Sequence, residues 1–128
     1  MAWGMLKTLA LVAVSAVLSL SSALAEGEFR HIVFFRFKAD AKPEQIQEVE
    51  KAFAELPSKI NTITGYEWGK SESIEKLNEG YTHCFFVTFK NKADCEAYLK
   101  HEAHKAFGAK LKGLLDKAFV FDYTAKKD

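Results

Sequence analysis

The sequence predicts an α+β fold of the order β-α-β-β-α-β, in which four strands form one antiparallel sheet and the helices cover one of its faces. Apolar residues alternate with a period of two in several short segments, which indicates strands. After the first of these segments, apolar residues recur at helical spacing with Glu, Gln and Lys opposite, which indicates an amphipathic helix. Residues 26–128 suffice for one core and are too few for two domains.

The first strand is predicted from Phe29 to Phe37, where the apolar alternation is clearest. One face carries the side chains expected to point to the core, which are His31, Val33, Phe35 and Phe37. A helix is predicted to begin at Pro43, because a proline in the first helical turn has no N–H to leave unpaired. Its apolar stripe reaches Leu56, and Pro57 is predicted to end it.

The second and third strands are predicted at Ile63–Lys70 and Tyr81–Phe89, on either side of the polar loop Ser71–Gly80. In the third strand the side chains expected on the core face are His83, Phe85, Val87 and Phe89. Asn91 is a good N-cap for a helix that begins at Lys92.

The remaining chain is predicted to be helical as far as Leu115 and then to form the last strand, Ala118–Tyr123. Irregularity in this helical region is expected near His101 and at Gly108 or Gly113.

Both faces of the predicted sheet carry bulky apolar side chains, which predicts a homodimer. The helical segments can cover one face only, and the other face would carry Ile32, Phe34, Cys84 and Phe86. An apolar patch of that size is unusual on a monomer, and its burial at about 25 cal/mol per Å² favours association. We therefore expect two copies to pack sheet against sheet.

The first 25 residues have the organisation of a secretory signal peptide. Lys7 supplies a positive charge, Thr8 to Leu20 are apolar or small, and Ala23-Leu24-Ala25 ends the run with small residues. The apolar run is shorter than the about 20 residues that span a bilayer, which favours cleavage after Ala25 over an uncleaved anchor. We expect an exported protein, periplasmic or secreted, with its domain at residues 26–128 and no membrane attachment after cleavage.

Residues 26–128 contain 17 basic and 17 acidic residues, so no basic excess predicts a nucleic-acid partner. Cys84 and Cys95 would enter an oxidising compartment, where a pair of cysteines can form a disulfide. Their predicted positions, within a strand and in the first turn of a helix, favour two unpaired, partly buried thiols.

The candidates for chemistry are Tyr98 and four histidines, His31, His83, His101 and His104. A histidine beside a tyrosine can take a proton from carbon next to a carbonyl, while the phenol donates a hydrogen bond to the developing enolate. The same residues could instead be structural. His101 and His104 form an H-x-x-H pair, but zinc needs three or four ligands and no acidic or Cys cluster supplies them, so we predict no metal.

An ordered set of stretches resembles the stress-responsive A/B barrel domain family. These stretches are His31-Ile32-Val33, Gly80-Tyr81-Thr82-His83, Tyr98-x-x-His101-x-x-His104, Phe107-Gly108 and Phe121-Asp122-Tyr123. The resemblance covers the range from Phe29 to Thr124. It implies a ferredoxin-like fold that pairs through its sheets into a dimeric α+β barrel.

Within the family, Trp68-Gly69-Lys70, Gly80-Tyr81-Thr82-His83 and Ala103-His104 are similar to stretches of polyketide cyclases. That similarity implies a cofactor-free enzyme with His104 as general base, Tyr98 as hydrogen-bond donor and a pocket between sheet and helices. By motif position, the ligand-binding residues would be His31, Val33, Phe35, Val49, Phe53, His83, Phe85, His101, Phe107, Leu115 and Val120. Three departures from the cyclases, Glu102 for a frequent Pro, a bulky Phe85 and a non-aromatic Leu115, imply a reshaped pocket.

Three functions therefore compete. The first is a dimeric module that binds a small apolar molecule without catalysis, and it ranks first because export would separate the protein from a cytoplasmic polyketide synthase. The second is a cofactor-free cyclase- or lyase-type enzyme that uses His104 and Tyr98. The third and weakest is a haem or metal protein that uses a histidine.

Overall fold

A computed structural model describes residues 27–127, so the predicted signal peptide at residues 1–25 lies outside the described residues. Seven elements follow one another along this part of the chain. They are β1 (Phe29–Phe37), α1 (Pro43–Lys59), β2 (Ile63–Lys70), β3 (His83–Phe89), α2 (Lys92–Lys100), α3 (Glu102–Lys110) and β4 (Leu115–Thr124). No helix within residues 27–127 is both long and apolar enough to cross a membrane.

The four strands form a single antiparallel sheet in the order β2-β3-β1-β4. All helices of the described chain pack on one face, and the predicted α+β, ferredoxin-like class is confirmed. β1 lies in the centre because it pairs with β3 on one side and along its whole length with β4 on the other. Val33 faces both Phe85 and Val120, which places these three side chains on the helix-covered face.

The core lies between the helices and this face of the sheet. Its centre is a stack of phenyl rings, in which Phe53 of α1 and Phe85 of β3 lie parallel with their centroids 4.2 Å apart. Phe35 packs on Phe85 at 5.2 Å, and Phe107 of α3 meets Phe53 edge to face at 4.9 Å. These four aromatic residues are buried and connect all layers of the fold.

The opposite sheet face, which we call the outer face, has no helix of the described chain over it. It carries the side chains that alternate with the core positions, which are Arg30, Ile32, Phe34, Cys84, Phe86, Thr88, Phe119, Phe121 and Tyr123. Phe119 is 49% exposed and Phe121 is 54% exposed. A second sheet face rich in bulky apolar side chains is therefore present in the folded chain.

Several predicted boundaries were wrong. Pro57 lies inside α1, which continues to Lys59, because a proline in the last turn removes only one backbone hydrogen bond. Burial of Leu56 and Ile60 holds this last turn against the core, and the Ile60 N–H donates to the Leu56 carbonyl at 2.9 Å.

The second helical region is divided at His101, as predicted, but it does not reach Leu115. α3 ends at Lys110, and the chain then turns through Gly113, which has a φ of +78° that favours glycine. β4 begins at Leu115 because it pairs with Phe37 at the end of β1, so this strand is longer than Ala118–Tyr123. β3 begins at His83 and not at Tyr81.

The two cysteines lie on opposite sides of the sheet. Cys84 belongs to the outer face, whereas Cys95 is a buried residue of α2 on the helix-covered face, and both are free. Burial, together with the nearby Asp122 and Glu96 carboxylates, raises the pKa of Cys95 to about 12. The Cys95 thiol is therefore a poorly reactive core group.

Candidate functional site

A cavity of about 210 Å³ lies between the sheet and the two short helices α2 and α3. Its lining residues are His31, Val33, Phe35, Phe53, Tyr98, Leu99, His104, Phe107, Gly108, Leu111, Leu115, Ala118 and Val120. The polar side chains of this lining are those of His31, Tyr98 and His104. Most of the other lining side chains are aliphatic or aromatic. The arrangement is that of a small apolar pocket with polar groups at one place in its wall.

The break at His101 brings Tyr98 and His104 together. His101 has an extended backbone conformation (φ −68°, ψ 142°) between the end of α2 and the start of α3. Its Nδ1 accepts a hydrogen bond of 3.0 Å from the Ala103 N–H, so its imidazole caps α3. The two helices then meet at an angle that places the Tyr98 and His104 rings 4.6 Å apart.

His31 completes this polar group from β1. It is 4% exposed, and its ring lies 5.7 Å from that of Tyr98 in an edge-on arrangement. Its Nδ1 donates a hydrogen bond of 2.6 Å to Oδ1 of Asp122, which faces it across the β1–β4 pairing. His31, Tyr98, His104 and Asp122 thus form one polar cluster that joins β1, β4, α2 and α3.

The surroundings favour a neutral His104 and a protonated Tyr98. Burial and the nearby His31 ring lower the pKa of His104, against an opposing hydrogen bond with the Leu99 backbone. Burial, followed by Cys95 and Tyr66, raises the pKa of Tyr98 well above its usual range. A neutral imidazole that can accept a proton therefore lies beside a phenol that keeps its proton and can donate a hydrogen bond at neutral pH.

Of the residues predicted for the site, nine line this cavity. The two predicted catalytic residues, His104 and Tyr98, do so together with His31, Val33, Phe35, Phe53, Phe107, Leu115 and Val120. The catalytic roles of His104 and Tyr98 remain predictions.

The other four predicted ligand-binding residues lie elsewhere. Val49 is buried where α1 faces the Lys110–Leu114 segment. Phe85 stacks on Phe53 but is not part of the cavity lining. His101 is exposed and serves as the α3 cap. His83 lies near Phe37, at the far end of the phenyl stack, so sharing a strand face with the pocket does not bring it to the pocket.

His83 belongs to a second polar cluster. Its Nε2 donates to Glu50 Oε2 at 2.7 Å, and its Nδ1 lies 2.7 Å from the Thr82 hydroxyl. Lys70 Nζ approaches the same Glu50 oxygen at 3.6 Å, and the Trp68 indole lies parallel to the imidazole at 5.9 Å. Both ring nitrogens of His83 are therefore used within the protein.

Sequence reasoning missed five residues of the site, namely Leu99, Gly108, Leu111, Ala118 and Asp122. The strand period could have found Asp122, because it has the same parity as Val120 and therefore lies on the same face of β4. Leu111 could not be placed, because the predicted helix continued through the turn in which it lies.

A larger cleft of about 570 Å³ lies on the outer face under the segment between β2 and β3. Phe34, Cys84 and Phe119 form part of its floor, and it is separated from the His–Tyr cluster by the thickness of the sheet. Among residues 27–127, no group of three or more His, Cys, Asp or Glu side chains is placed to hold a metal ion.

Comparison with known proteins connects this architecture to curated relatives. The chain is 40% identical over 99 residues to stress-response A/B barrel domain-containing protein HS1 from Arabidopsis thaliana, which covers 77% of this chain and 91% of that protein. It is 32% identical over 98 residues to olivetolic acid cyclase from Cannabis sativa, which covers 77% and 97% of the two chains.

Solved structures give the same result. The crystal structure of At3g17210 from Arabidopsis thaliana matches with a TM-score of 0.73 and 38% identity, over 78% of this chain and 97% of that one. A dimeric protein of unknown function with a ferredoxin-like fold from Bacteroides fragilis matches with a TM-score of 0.63 and 27% identity, over 77% and 97%. The stress-responsive A/B barrel domain model itself matches residues 29–125, and the chain therefore belongs to that family.

Proposed function

We propose that this protein binds a small, mostly apolar molecule in the cavity between the sheet and helices α2 and α3. The observation that carries the proposal is the distribution of polarity in the cavity wall. His31, Tyr98 and His104 form one polar group, and the other lining residues include Phe35, Phe107 and several aliphatic side chains. Such a wall suits a ligand with one polar group on an apolar body.

The size of the cavity limits the ligand. Pockets for drug-sized molecules have volumes of about 300–1,000 Å³, and this cavity has about 210 Å³. Its inner end is closed by Phe53 and Phe107, which are packed against the buried phenyl stack. A ligand with about seven non-hydrogen atoms fits this volume, given the roughly 30 Å³ that each water occupies in the liquid.

Gly108 allows a direct test. It lines the cavity, and a Cβ at this position would meet no atom within 4 Å, so a larger side chain can enter the cavity without moving the backbone. Gly108→Leu is expected to abolish binding of fluorobenzene, followed by ¹⁹F NMR, and to leave the protein folded because Leu is a better helix former than Gly. Ala109 is exposed on the same helix, so Ala109→Leu is the matched control and should bind fluorobenzene normally. Unchanged binding in Gly108→Leu would contradict the proposal.

A cofactor-free enzyme is the second candidate, and the Tyr98–His104 pair favours it. In this reaction His104 takes a proton from carbon next to a carbonyl, and Tyr98 donates a hydrogen bond to the enolate oxygen. The lowered pKa of His104 and the 4.6 Å ring separation suit these roles, and a relative of 32% identity is named as a cyclase.

Proton abstraction can be measured without knowing the natural substrate. Cyclohexanone is small enough for the cavity, and the exchange of its α protons in D₂O reports enolisation by NMR. The enzymatic candidate predicts exchange that is faster with the protein and lost in both His104→Ala and Tyr98→Phe, with both variants folded. If Tyr98→Phe exchanged the α protons as fast as the unmodified protein, the enzymatic candidate would be wrong and ligand binding would remain as the proposed function.

Homodimerisation through the outer face belongs to the same proposal. Phe119, Phe121 and Tyr123 are 49%, 54% and 38% exposed on this face, beside Ile32 and Phe34. A second copy placed sheet to sheet would remove this apolar surface from water. The B. fragilis structure, named as dimeric, supports this arrangement.

We also propose that the chain is exported and cleaved after Ala25, because the first 25 residues have a positive start, an apolar run and a small-residue end. Intact-mass measurement of the exported protein should give a chain that begins at Glu26. A mass that includes Met1 in the exported fraction would overturn the cleavage.

A further inference from the structure

We propose that Asp122 fixes the imidazole of His31 so that His31 Nε2 accepts a hydrogen bond from the ligand, which must therefore carry a hydroxyl or another proton donor. This inference rests on the proposed binding function and adds to it the chemical class of the ligand. The ligand is then a compact apolar molecule with an alcohol, phenol or enol group.

The hydrogen bond between His31 and Asp122 sets the position of the proton. A carboxylate can only accept, so the Nδ1 that lies 2.6 Å from Asp122 Oδ1 carries the hydrogen. When one nitrogen of a neutral imidazole carries the proton, the other has a lone pair. His31 Nε2 is therefore an acceptor as long as the ring is neutral.

The acceptor nitrogen belongs to a ring that lines the cavity. Nδ1 uses the Asp122 carboxylate, which is partly exposed at the sheet edge, whereas the His31 ring as a whole is 4% exposed and lines the cavity. Within residues 27–127, the bond to Asp122 is the only hydrogen bond of this ring. Its ring neighbours, Phe89 and Tyr98, lie edge-on at 6.4 and 5.7 Å.

A polar atom in a cavity wall that has no protein partner normally has a water or a ligand as its partner. At neutral His31 that partner must be a donor, whereas the Tyr98 hydroxyl can donate its proton to an acceptor. A hydroxyl oxygen satisfies both, because it donates its proton to His31 and accepts one from Tyr98. A ligand with only an acceptor would leave His31 Nε2 unpaired, which costs binding free energy.

The tautomer can be observed directly in the ligand-free mature chain. Long-range ¹H–¹⁵N correlation of the histidine rings separates the protonated from the unprotonated nitrogen of each imidazole. We expect the Nδ1–H form for neutral His31, and a loss of this preference in Asp122→Asn and Asp122→Ala. A neutral His31 that carries its proton on Nε2 in the unmodified protein would overturn the inference.

Phenol and fluorobenzene test the ligand class, since they are similar in size and shape but fluorobenzene has no proton to donate. Phenol is expected to bind about 3- to 10-fold more tightly, the ratio given by one neutral hydrogen bond. In Asp122→Ala the two probes should bind with similar affinity. Asp116→Ala is the matched control, because Asp116 also lies on β4 and accepts a 2.7 Å hydrogen bond, but from Arg36 Nε.

The outcomes separate this inference from the proposed function. Equal binding of both probes to the unmodified protein overturns the donor requirement and leaves an apolar pocket. A preference for phenol that persists in Asp122→Ala assigns the acceptor to another group and also overturns it. Failure of both probes to bind overturns the binding function, and the inference with it.

Discussion

His83 Nε2 lies 2.7 Å from Glu50 Oε2, which joins β3 to α1 at the end of the core remote from the cavity. The two side chains are 4% and 12% exposed, and Thr82 occupies the other nitrogen of the imidazole. A buried polar pair in which each member satisfies the other is characteristic of a structural contact. His83 therefore connects α1 to the sheet and does not line the cavity between the sheet and helices α2 and α3.

Removal of Glu50 should destabilise the fold without changing ligand binding. Glu50→Ala leaves His83 Nε2 without its partner, and a hydrogen bond to a charged group is worth about 1.5–3 kcal/mol. Urea denaturation is expected to show a loss of this size in the free energy of unfolding. Glu55→Ala, which removes an exposed 3.5 Å pair with Lys59, should change it by about 0.5 kcal/mol or less. Weaker binding of fluorobenzene at unchanged stability would place His83 in the site after all.

The difference between His31 and His83 shows what the sequence could and could not predict. Both occupy core-side positions of central strands, and the period of two identified that face correctly. The position along the strand decides their roles, because Phe35, Phe53 and Phe85 fill the core between them. Which histidine meets α2 and α3 depends on helix packing, which no local pattern contains.

The helix boundaries that the sequence mispredicted also depend on packing. The limits of β1 and β2 and the break at His101 followed from local patterns, whereas the end of α1 depends on the burial of Leu56 and Ile60. Tertiary contacts there outweighed the preference of Pro57. The Tyr98–His104 pair could be placed in one site through its motif, and the Asp122 partner required the register of β4 against β1.

Protonation of His104 should lower the stability of the protein in mild acid. The pKa of His104 in the folded protein lies below its ordinary value of 6.5, so the unfolded chain binds more protons as the pH falls. The free energy of unfolding therefore rises with pH: this contribution is complete above about pH 6.5 and is lost as the pH falls towards the folded pKa.

Comparison with His104→Gln isolates this contribution from other titrating groups. The difference in free energy of unfolding between pH 7.5 and pH 5.0, measured in urea, should be larger for the unmodified protein than for the variant. The same difference in both proteins would contradict a lowered pKa of His104.

Charge on the outer face should prevent dimer formation. Phe121→Glu places a carboxylate on β4, opposite Ile32 of β1, where a second copy would bury it without a partner. Light scattering at micromolar concentration is expected to give a dimer for unmodified residues 26–128 and a monomer for the variant. Ala54→Glu adds the same charge on the exposed side of α1 and should remain dimeric. A monomeric unmodified chain would refute the association of the two sheets.

Phe107 should set the upper size limit of the ligand, because its ring closes the inner end of the cavity against Phe53 and Phe35. Phe107→Leu removes part of this wall, and its cost in stability should lie below the about 3–5 kcal/mol of a Phe→Ala change in a core. We expect 1-fluoronaphthalene, which has two fused rings, to bind the variant more tightly than the unmodified protein, while fluorobenzene binds both. Val49→Ala is the control, because it also shortens a buried side chain but lies outside the cavity. Equal binding of 1-fluoronaphthalene to the unmodified protein in ¹⁹F NMR would show that Phe107 does not limit ligand size. The ligand would then extend outward beside Leu99 and Val120, which are 42% and 47% exposed.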